Sequence, residues 1–450
     1  MSQDRLFAED VVAEATGTAP EVATRPSQAR VSGPVRNQVE MVLRDLDSTL
    51  PEDHPARAIW EFLQKVDTSA FYAAIKAIDG VAGRPASDPR VLLALWLYAT
   101  TQGVGSARQL DRLCAEHDAY RWLRGGVPIN YHMLSDFRVA HQQALDELLT
   151  GILASLMAEG LVKLDHVAQD GMRTRASAGA SSFRRKERLE QCLSEAREQV
   201  EQLAKEREKP DPGVNRRQQA ARERAARERQ SRVEEALAHM PEIKAAKERQ
   251  SKTLAKDKRG KVTEPRVSTT DPEARVMKMP DGGFRPAYNL ESATDVDSQV
   301  IVGVAVVTKG SDGGEAVPMV EQIEERTDRR PEAYLIDGGF ATRKDITALE
   351  RKGITVYAPT RAPRTQSSGR SQGEPRPDDT PEVAAWRARM ETDEAKVIYR
   401  ERAATAECVN AHERRYGLQR LLVRGADKVL SVLLLAAIAH NLLRWIAMTT

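Results

Sequence analysis

Cysteine is scarce. Cys114, Cys192 and Cys408 are the only three in 450 residues, they lie far apart, and no CxxC pair occurs. That pattern offers neither a zinc knuckle nor a disulfide framework, and it suits a reducing cytoplasm. Aromatic residues make up 5% of the chain against 30% charged, so part of it is expected to be extended or poorly packed. The opening stretch MSQDRLFAEDVVAEATG has neither a basic n-region nor an apolar h-region, so no signal peptide is read there. The longest apolar run, VLSVLLLAAIA at 429–439, falls short of the ~20 residues that cross a bilayer. It reads as a buried helix, and no membrane partner is expected. There is no phosphate-cradling P-loop, no GxGxxG and no serine nucleophile with its base. A net charge of +2 neither demands nor excludes nucleic acid, so the local distribution of charge must decide.

What is present falls into segments, and the length suggests about two to four domains. Residues 1–33 are polar and aperiodic and are expected to form a disordered tail. Residues 34–160 carry helical patterning. DPRVLLALWLYATTQG places Asp88 as N-cap, Pro89 at the first helical position and Gly103 as a stop, and Ser106 caps the next helix. Short helices joined by Gly-containing turns suit a helix-turn-helix-like module. Trp96 and Trp122 are expected in its core.

At LVKLDHVAQDG (161–171) the period changes to about two, predicting a strand that ends at Asp170. The highly charged stretch 184–258 then predicts a helical hairpin, broken by PDPG at 210–213 and short of a sustained coiled coil. AYNLESAT and QVIVGVAVVTKG flank DVDS as a β-hairpin. SDGGEAVPMVEQIEERT predicts a helix with Asp312 as N-cap and Glu315 at the capping-box position. From 333 to 359 an apolar strand stops at Asp337-Gly-Gly. A helix capped by Thr342 and closed by Gly353 leads to a second strand, giving a βαβ unit with a parallel pair. Residues 361–393 read as a loop, and two helices, 394–416 and 426–448, close the chain. Without the insertion this is the element order of a ribonuclease H-like α/β fold, a mixed sheet flanked by helices. The catalytic part would comprise 161–183 and 259–450, interrupted by 184–258.

Two apolar strands stopping at Asp-Gly raise a choice. Asp-Gly is a good turn former, yet ligands of open α/β sheets gather beyond the carboxyl ends of strands. A third acid lies on the helix beginning at Val397. Tyr399, Arg402, Ala403, Ala406, Glu407, Asn410 and Arg414 fall near one stripe at i, i+3, i+4 spacing. A solvated charged face is one account; the other is that the alanines let Glu407 lie close against the sheet.

YRERAATAE, with Arg402 three and Glu407 eight residues after Tyr399, resembles the Tyr-Arg-Glu signature of bacterial insertion-sequence DDE transposases. VAQDG resembles that family's first-Asp strand and YLIDGGFATRKDI its second-Asp segment. PAYNLESATD is similar to the strand after the first Asp, DPRVLLALWLYATTQGVGSARQLDRLC and YHMLSDFRVAHQQ to its helical N-terminal domain, and YGLQRLLVRG with AHNLLRW to its C-terminal end. The resemblance runs from about Pro34 to Trp445. It implies a catalytic triad of Asp170, Asp337 and Glu407, with Tyr399 and Arg402 as signature residues. Arg414 stands where the family usually has Lys, implying a DNA phosphate contact through a planar fork. The first Asp is followed here by Gly171 and Met172 rather than Gly-Thr, and Asp165 is the alternative first carboxylate.

Phosphodiester chemistry explains such a set. Two divalent ions ~3.5–4 Å apart assist attacking and leaving oxygens, and hard cations prefer carboxylate oxygens. The expected cofactor is therefore two Mg²⁺, with Mn²⁺ as an alternative, held by Asp170, Asp337 and Glu407, with Asp170 bridging. Basic residues flank these acids: Arg173, Arg175, Arg184, Arg185, Lys186 and Arg188 after the first, Arg361, Arg364 and Arg370 before the third, and Arg414, Arg415, Arg420 and Arg424 after it. A polyphosphate ligand accounts for them. Arg173, Arg175, Tyr399, Arg402 and Arg414 are thus the expected DNA-binding residues. His412 and His440 read as surface or structural histidines. The expected protein is a DNA transposase of an insertion sequence, in the bacterial cytoplasm and associated with the nucleoid. It would act as a homo-oligomer on double-stranded terminal inverted repeats and target DNA, with end recognition in 34–160. The alternatives are an inactive transposase-derived DNA-binding protein, or an interaction protein built on the charged hairpin.

Overall fold

The computed structural model describes residues 36–37, 39, 41, 43–73, 75, 77, 85–208, 215–253, 264–360 and 373–449. The expected tail at 1–33, the break at 210–213 and Arg361, Arg364 and Arg370 lie outside them. The chain divides into two units, Met1–Arg44 and Asp45–Thr450, and the second carries all the elements that follow.

Six helices come first: α1 (Pro55–Lys65), α2 (Pro89–Thr101), α3 (Ala107–Glu116), α4 (Asp118–Arg124), α5 (Tyr131–Ala140) and α6 (Gln142–Ala158). Their starts follow from local chemistry. The Asp88 carboxylate accepts from the Arg90 N–H, Ser106 from Gln109, and Asn130 from His132 and Met133, each satisfying a backbone donor that the helix cannot. The α2 helix is apolar all round and buried almost throughout, the signature of a core helix. Trp96 is buried on it and donates its indole N–H to the Leu134 carbonyl.

The sheet runs β4 (Arg275–Lys278), β5 (Phe284–Asp295), β1 (His166–Arg175), β7 (Ala333–Leu335) and β8 (Thr355–Tyr357), with β6 (Ile301–Val307) also paired to β5. The β4, β6 and β1 strands are antiparallel to β5, whereas β7 and β8 run parallel to β1 and to each other respectively. The parallel pair is joined by α10 (Arg343–Arg351), and α9 (Ala316–Thr327) follows β6. Thr342 caps α10 as the sequence implies, accepting from Asp345 N–H. Last come α11 (Pro381–Glu391), α12 (Asp393–Arg415) and α13 (Ala426–Thr449). Among the described helices α13 alone is long and apolar enough to cross a membrane, yet 67% of its most apolar stretch is buried within the protein. It packs on α2, α5, α6 and β6, so one continuous apolar core joins the N-terminal helices to the sheet. Asn441 strengthens that junction by pairing with both the N–H and the carbonyl of Ile301.

The charged segment is a helical hairpin, α7 (Lys186–Glu208) and α8 (Arg216–Thr253). It leaves and re-enters the fold through a two-residue ladder, β2 (Phe183–Arg184) against β3 (Val267–Ser268). Leu189, Ala236, Met240 and Val267 give it a small core of its own, and Pro241 lies within α8.

Four expectations need correction. The first strand does not end at Asp170 but continues to Arg175, because β5 keeps pairing with it as far as Ala287. Asp312 is not an N-cap: α9 starts at Ala316 with Glu315 at its cap and no side-chain cap bond, because the Asp312 carboxylate is engaged elsewhere. The loop read at 361–393 contains α11, started by Thr380 accepting from Val383 and by Pro381 at its first position. The stripe on α12 is split: Tyr399, Arg402, Ala406 and Asn410 are at least half-covered, whereas Ala403, Glu407 and Arg414 are exposed.

Candidate active site

The register of β1 against β7 builds the site. His166, Val167 and Ala168 lie opposite Ala333, Tyr334 and Leu335. There β7 stops, while β1 runs on under the support of β5. Two residues beyond the last pair, Asp170 on β1 comes level with Asp337 in the turn after β7. Burial pushes the Asp170 carboxyl above its ordinary range and the Asp337 charge adds to this, while Arg402, the Gly171 N–H and Asn410 oppose it.

Asp337 is also a turn residue. Its Oδ1 accepts from the Gly339 N–H at 2.6 Å and from Phe340 N–H at 3.2 Å. A methyl group on Gly339 would lie 2.8 Å from that oxygen and 2.9 Å from Asp312 Oδ2, so Asp312 shares the same small space and a side chain there would fill it. Asp312 accepts from Asn289 Nδ2 at 2.9 Å and has Arg173 at 3.9 Å. Burial raises its carboxyl, and Asp337 and Asp170 add repulsion against the pull of Arg173.

Helix α12 closes the other side. Arg402 Nη2 donates to Asp170 Oδ1 and Asn410 Nδ2 to Asp170 Oδ2, both at 2.9 Å. Burial raises the Tyr399 phenol, and Asp337 and Asp170 reinforce this against Arg402. One turn beyond Asn410, Glu413 is 2% exposed and accepts from Ser292 Oγ at 2.6 Å. Its second oxygen has no hydrogen-bond partner, and burial pushes the carboxyl up to about 7, with the Asp170 charge contributing.

Asp170, Asp337, Tyr399 and Arg402 therefore gather at one place. Glu407 is on the exposed flank of α12, three residues before Asn410. Asp170, Asp337 and Glu407 do not bring ligand atoms within 4.8 Å of one another. Asp165 precedes β1 and gives its carbonyl to the Ala333 N–H. Arg173 donates to the carbonyls of Lys278 and Gly310. At the end of β1, Arg175 is exposed and lines a cleft of ≈ 470 Å³ with Arg285, Arg420 and Arg424. Arg414 is exposed one residue past Glu413. His440 is buried with Nε2 at 2.8 Å from the Gln299 carbonyl, a satisfied structural histidine.

Sequence reasoning missed Asp312 and Glu413 as neighbours of the aspartates. Glu413 follows Asn410 by three residues, a helical-face signal that was available. The contact of Asp312 with Asn289 depends on the hairpin's placement and leaves no trace in local spacing.

Two family models match the chain in order: Transposase domain (DUF772) at residues 44–140 and Transposase DDE domain at residues 252–442. No curated protein and no solved structure matches it. The second model includes Asp337 and the whole of α12, and the first covers α1 to α5. With carboxylates from the sheet facing a helix that carries the Tyr-Arg pair, these matches make the chain a member of the insertion-sequence DDE transposases, DNA-acting enzymes that depend on divalent cations.

Proposed function

We propose that Asp170, Asp337 and Glu407 are the catalytic carboxylates of a ribonuclease H-like domain that cuts and rejoins DNA at the ends of an insertion sequence. The order β6-β5-β1-β7-β8, antiparallel on one side of β1 and parallel on the other, supports that fold. One observation carries the reading: Asp170 is level with Asp337 at the open edge of β1, and the helix bearing Tyr399, Arg402 and Glu407 lies against it. Glu407 and Asn410 have i, i+3 spacing, at which helix side chains start about 5–6 Å apart. Glu407 is thus a helix-surface neighbour of a residue that already touches Asp170.

The donor set fits divalent cations. It is made of carboxylate oxygens, the preference of hard ions such as Mg²⁺ and Mn²⁺, and burial, with their mutual repulsion added, raises the carboxyls of Asp170 and Asp312, a cost that a bound cation would relieve. Bound there, two such ions would stabilise the attacking and leaving oxygens of an in-line displacement. The chain's own part is orientation. Arg402 and Asn410 fix both oxygens of Asp170, and the turn N–H groups of Gly339 and Phe340 fix Asp337.

DNA contact is assigned to Arg173, Arg175, Tyr399, Arg402 and Arg414. The Arg175, Arg420 and Arg424 cleft supplies the clearest phosphate-binding surface. End recognition is assigned to the helices at 34–160, and synapsis of two ends to a homo-oligomer on the nucleoid. The test is nicking of DNA bearing the element's terminal inverted repeats with Mg²⁺ or Mn²⁺ added. Repeat-specific cleavage supports the reading, and specific binding without cleavage under either ion overturns it.

A further inference from the structure

We infer that Glu235, His239 and Glu273 form a second divalent-cation site, suited to a borderline ion such as Zn²⁺, which clasps the insertion hairpin to the body of the protein. It uses none of the residues assigned to DNA cleavage and stands apart from that assignment.

Glu235 and His239 are four residues apart on α8, so they project from one helical face, the spacing from which helices present paired metal ligands. His239 Nε2 lies 3.9 Å from Glu235 Oε1. Glu273 arrives from the loop between β3 and β4, and ligand atoms of all three side chains lie within 4.8 Å of one another. Small rotamer changes would let all three atoms reach a shared ion at the ~2.0–2.2 Å of Zn²⁺ bonds to nitrogen and carboxylate oxygen. One imidazole with two carboxylates suits Zn²⁺ better than Mg²⁺, which prefers oxygen and water.

Supporting groups stand close by. Glu242 Oε2 stands 3.9 Å from His239 Nδ1, the nitrogen turned away from Glu235. A carboxylate there is the usual partner that fixes the tautomer of a metal-bound histidine. Glu273 Oε2 is held by the Ala426 N–H at 2.6 Å, which leaves its other oxygen for a ligand. Asp271, 0% exposed, has an Oδ2 with no hydrogen-bond partner, and its charge reaches Glu235 and couples to Glu273. Around this point stand the carboxylates of Glu235, Glu242, Glu273 and Asp271, faced by Lys428 from α13 and Arg275 from β4. These four carboxylates face two cations at this point, with Arg232 and Arg424 also on the cleft wall, and a divalent ion would offset the excess negative charge. Glu235 and Glu273 also line an open cleft of ≈ 680 Å³ with Asp427 and Lys428, so an ion has a route in.

An ion here would tie α8 to the loop before β4 and, through Glu273, to the first residue of α13. At its base the hairpin is joined to the fold by the two-residue β2–β3 ladder. The site would thus set its angle and rigidity.

The experiment uses full-length protein carrying Asp170→Asn and Asp337→Asn, which removes those two carboxylates as competing ligands. It is stripped of metal and titrated with Zn²⁺ by calorimetry, with thermal melting read alongside. One equivalent is expected to bind and raise the melting temperature. Adding His239→Ala or Glu273→Gln should weaken binding by about 10-fold or more and abolish the thermal gain. Glu273→Gln keeps an acceptor for the Ala426 N–H, so it reports on the ligand even if His239→Ala disturbs the helix. Absence of saturable Zn²⁺ binding in the parent overturns the inference. So does binding that survives both substitutions, whether at the exposed thiol of Cys408 or elsewhere.

Discussion

Arg402 donates to Asp170 at 2.9 Å across 232 residues of sequence. The guanidinium is the counter-charge nearest a carboxylate that burial and Asp337 both push toward protonation. Replacing it with alanine leaves Asp170 next to Asp337 with only Asn410 and the Gly171 N–H to stabilise its charge. Asp170 keeps part of its solvent exposure and can take up a proton, so the loss should fall below the ~3–5 kcal/mol of a fully buried broken pair. We predict a cost of about 1–2 kcal/mol for Arg402→Ala at pH 8, shrinking toward pH 4, measured by denaturant melts at both values.

Asp337→Asn tests the catalytic assignment. Asparagine keeps an acceptor for the Gly339 and Phe340 N–H groups, so the turn should survive. We predict loss of repeat-specific cleavage by roughly 10³-fold or more, with DNA affinity in a gel-shift assay within about 2-fold of the parent. Equal loss of both activities would sink its role as a catalytic ligand.

Two buried groups set opposite pH dependences. Burial, with Glu315 adding, pushes Glu291 up to about 8. Its folded pKa lies above the unfolded one, so its contribution is intact at low pH and is lost as pH rises from about 4.5 through 8. Burial pulls His440 down to about 4, so its contribution is intact above about 6.5 and is lost as pH falls through 4. Glu291→Gln should flatten the alkaline limb of a stability–pH curve and His440→Gln the acid limb.

Glycine is required where α12 ends. Gly103 has φ +70°, and a methyl there would lie 2.7 Å from the Arg415 carbonyl oxygen. Gly417, at φ +86°, faces it in return: a methyl there would lie 3.1 Å from the Gly103 carbonyl oxygen. Gly103→Ala combines a left-handed backbone with a backbone clash that no side chain can relieve. We expect a loss of about 2–4 kcal/mol, read from the melting temperature.

The hairpin should be removable if cut at the right places. Arg184 pairs with Val267 in the ladder that closes its base, so a deletion beginning at Arg184 takes half of that ladder away. Excising 186–253 behind a short Gly-Ser bridge keeps it. We predict a cooperative melt for that deletion, and a lower melting temperature when 184–258 is removed instead. A non-cooperative melt for the smaller deletion would count against the hairpin as a self-contained insertion.

The sequence alone determined the local elements, because their causes are local. Asp88-Pro89, Ser106 and Thr342 start helices through side-chain acceptors close in the chain. AYNLESAT and QVIVGVAVVTKG on either side of DVDS mark a hairpin, and the apolar run at 429–439 marks a buried helix. It also placed Asp170, Asp337, Tyr399 and Arg402 in one family pattern. Only the tertiary structure decided where β1 ends, since its length depends on β5, a partner more than a hundred residues away. It alone turned Asp312 from a helix cap into a neighbour of Asp337, and brought Glu413 under Asp170. It also set His239 of the insertion opposite Glu273. Each of these depends on a distant strand or helix arriving at a particular register, a condition that local spacing does not encode.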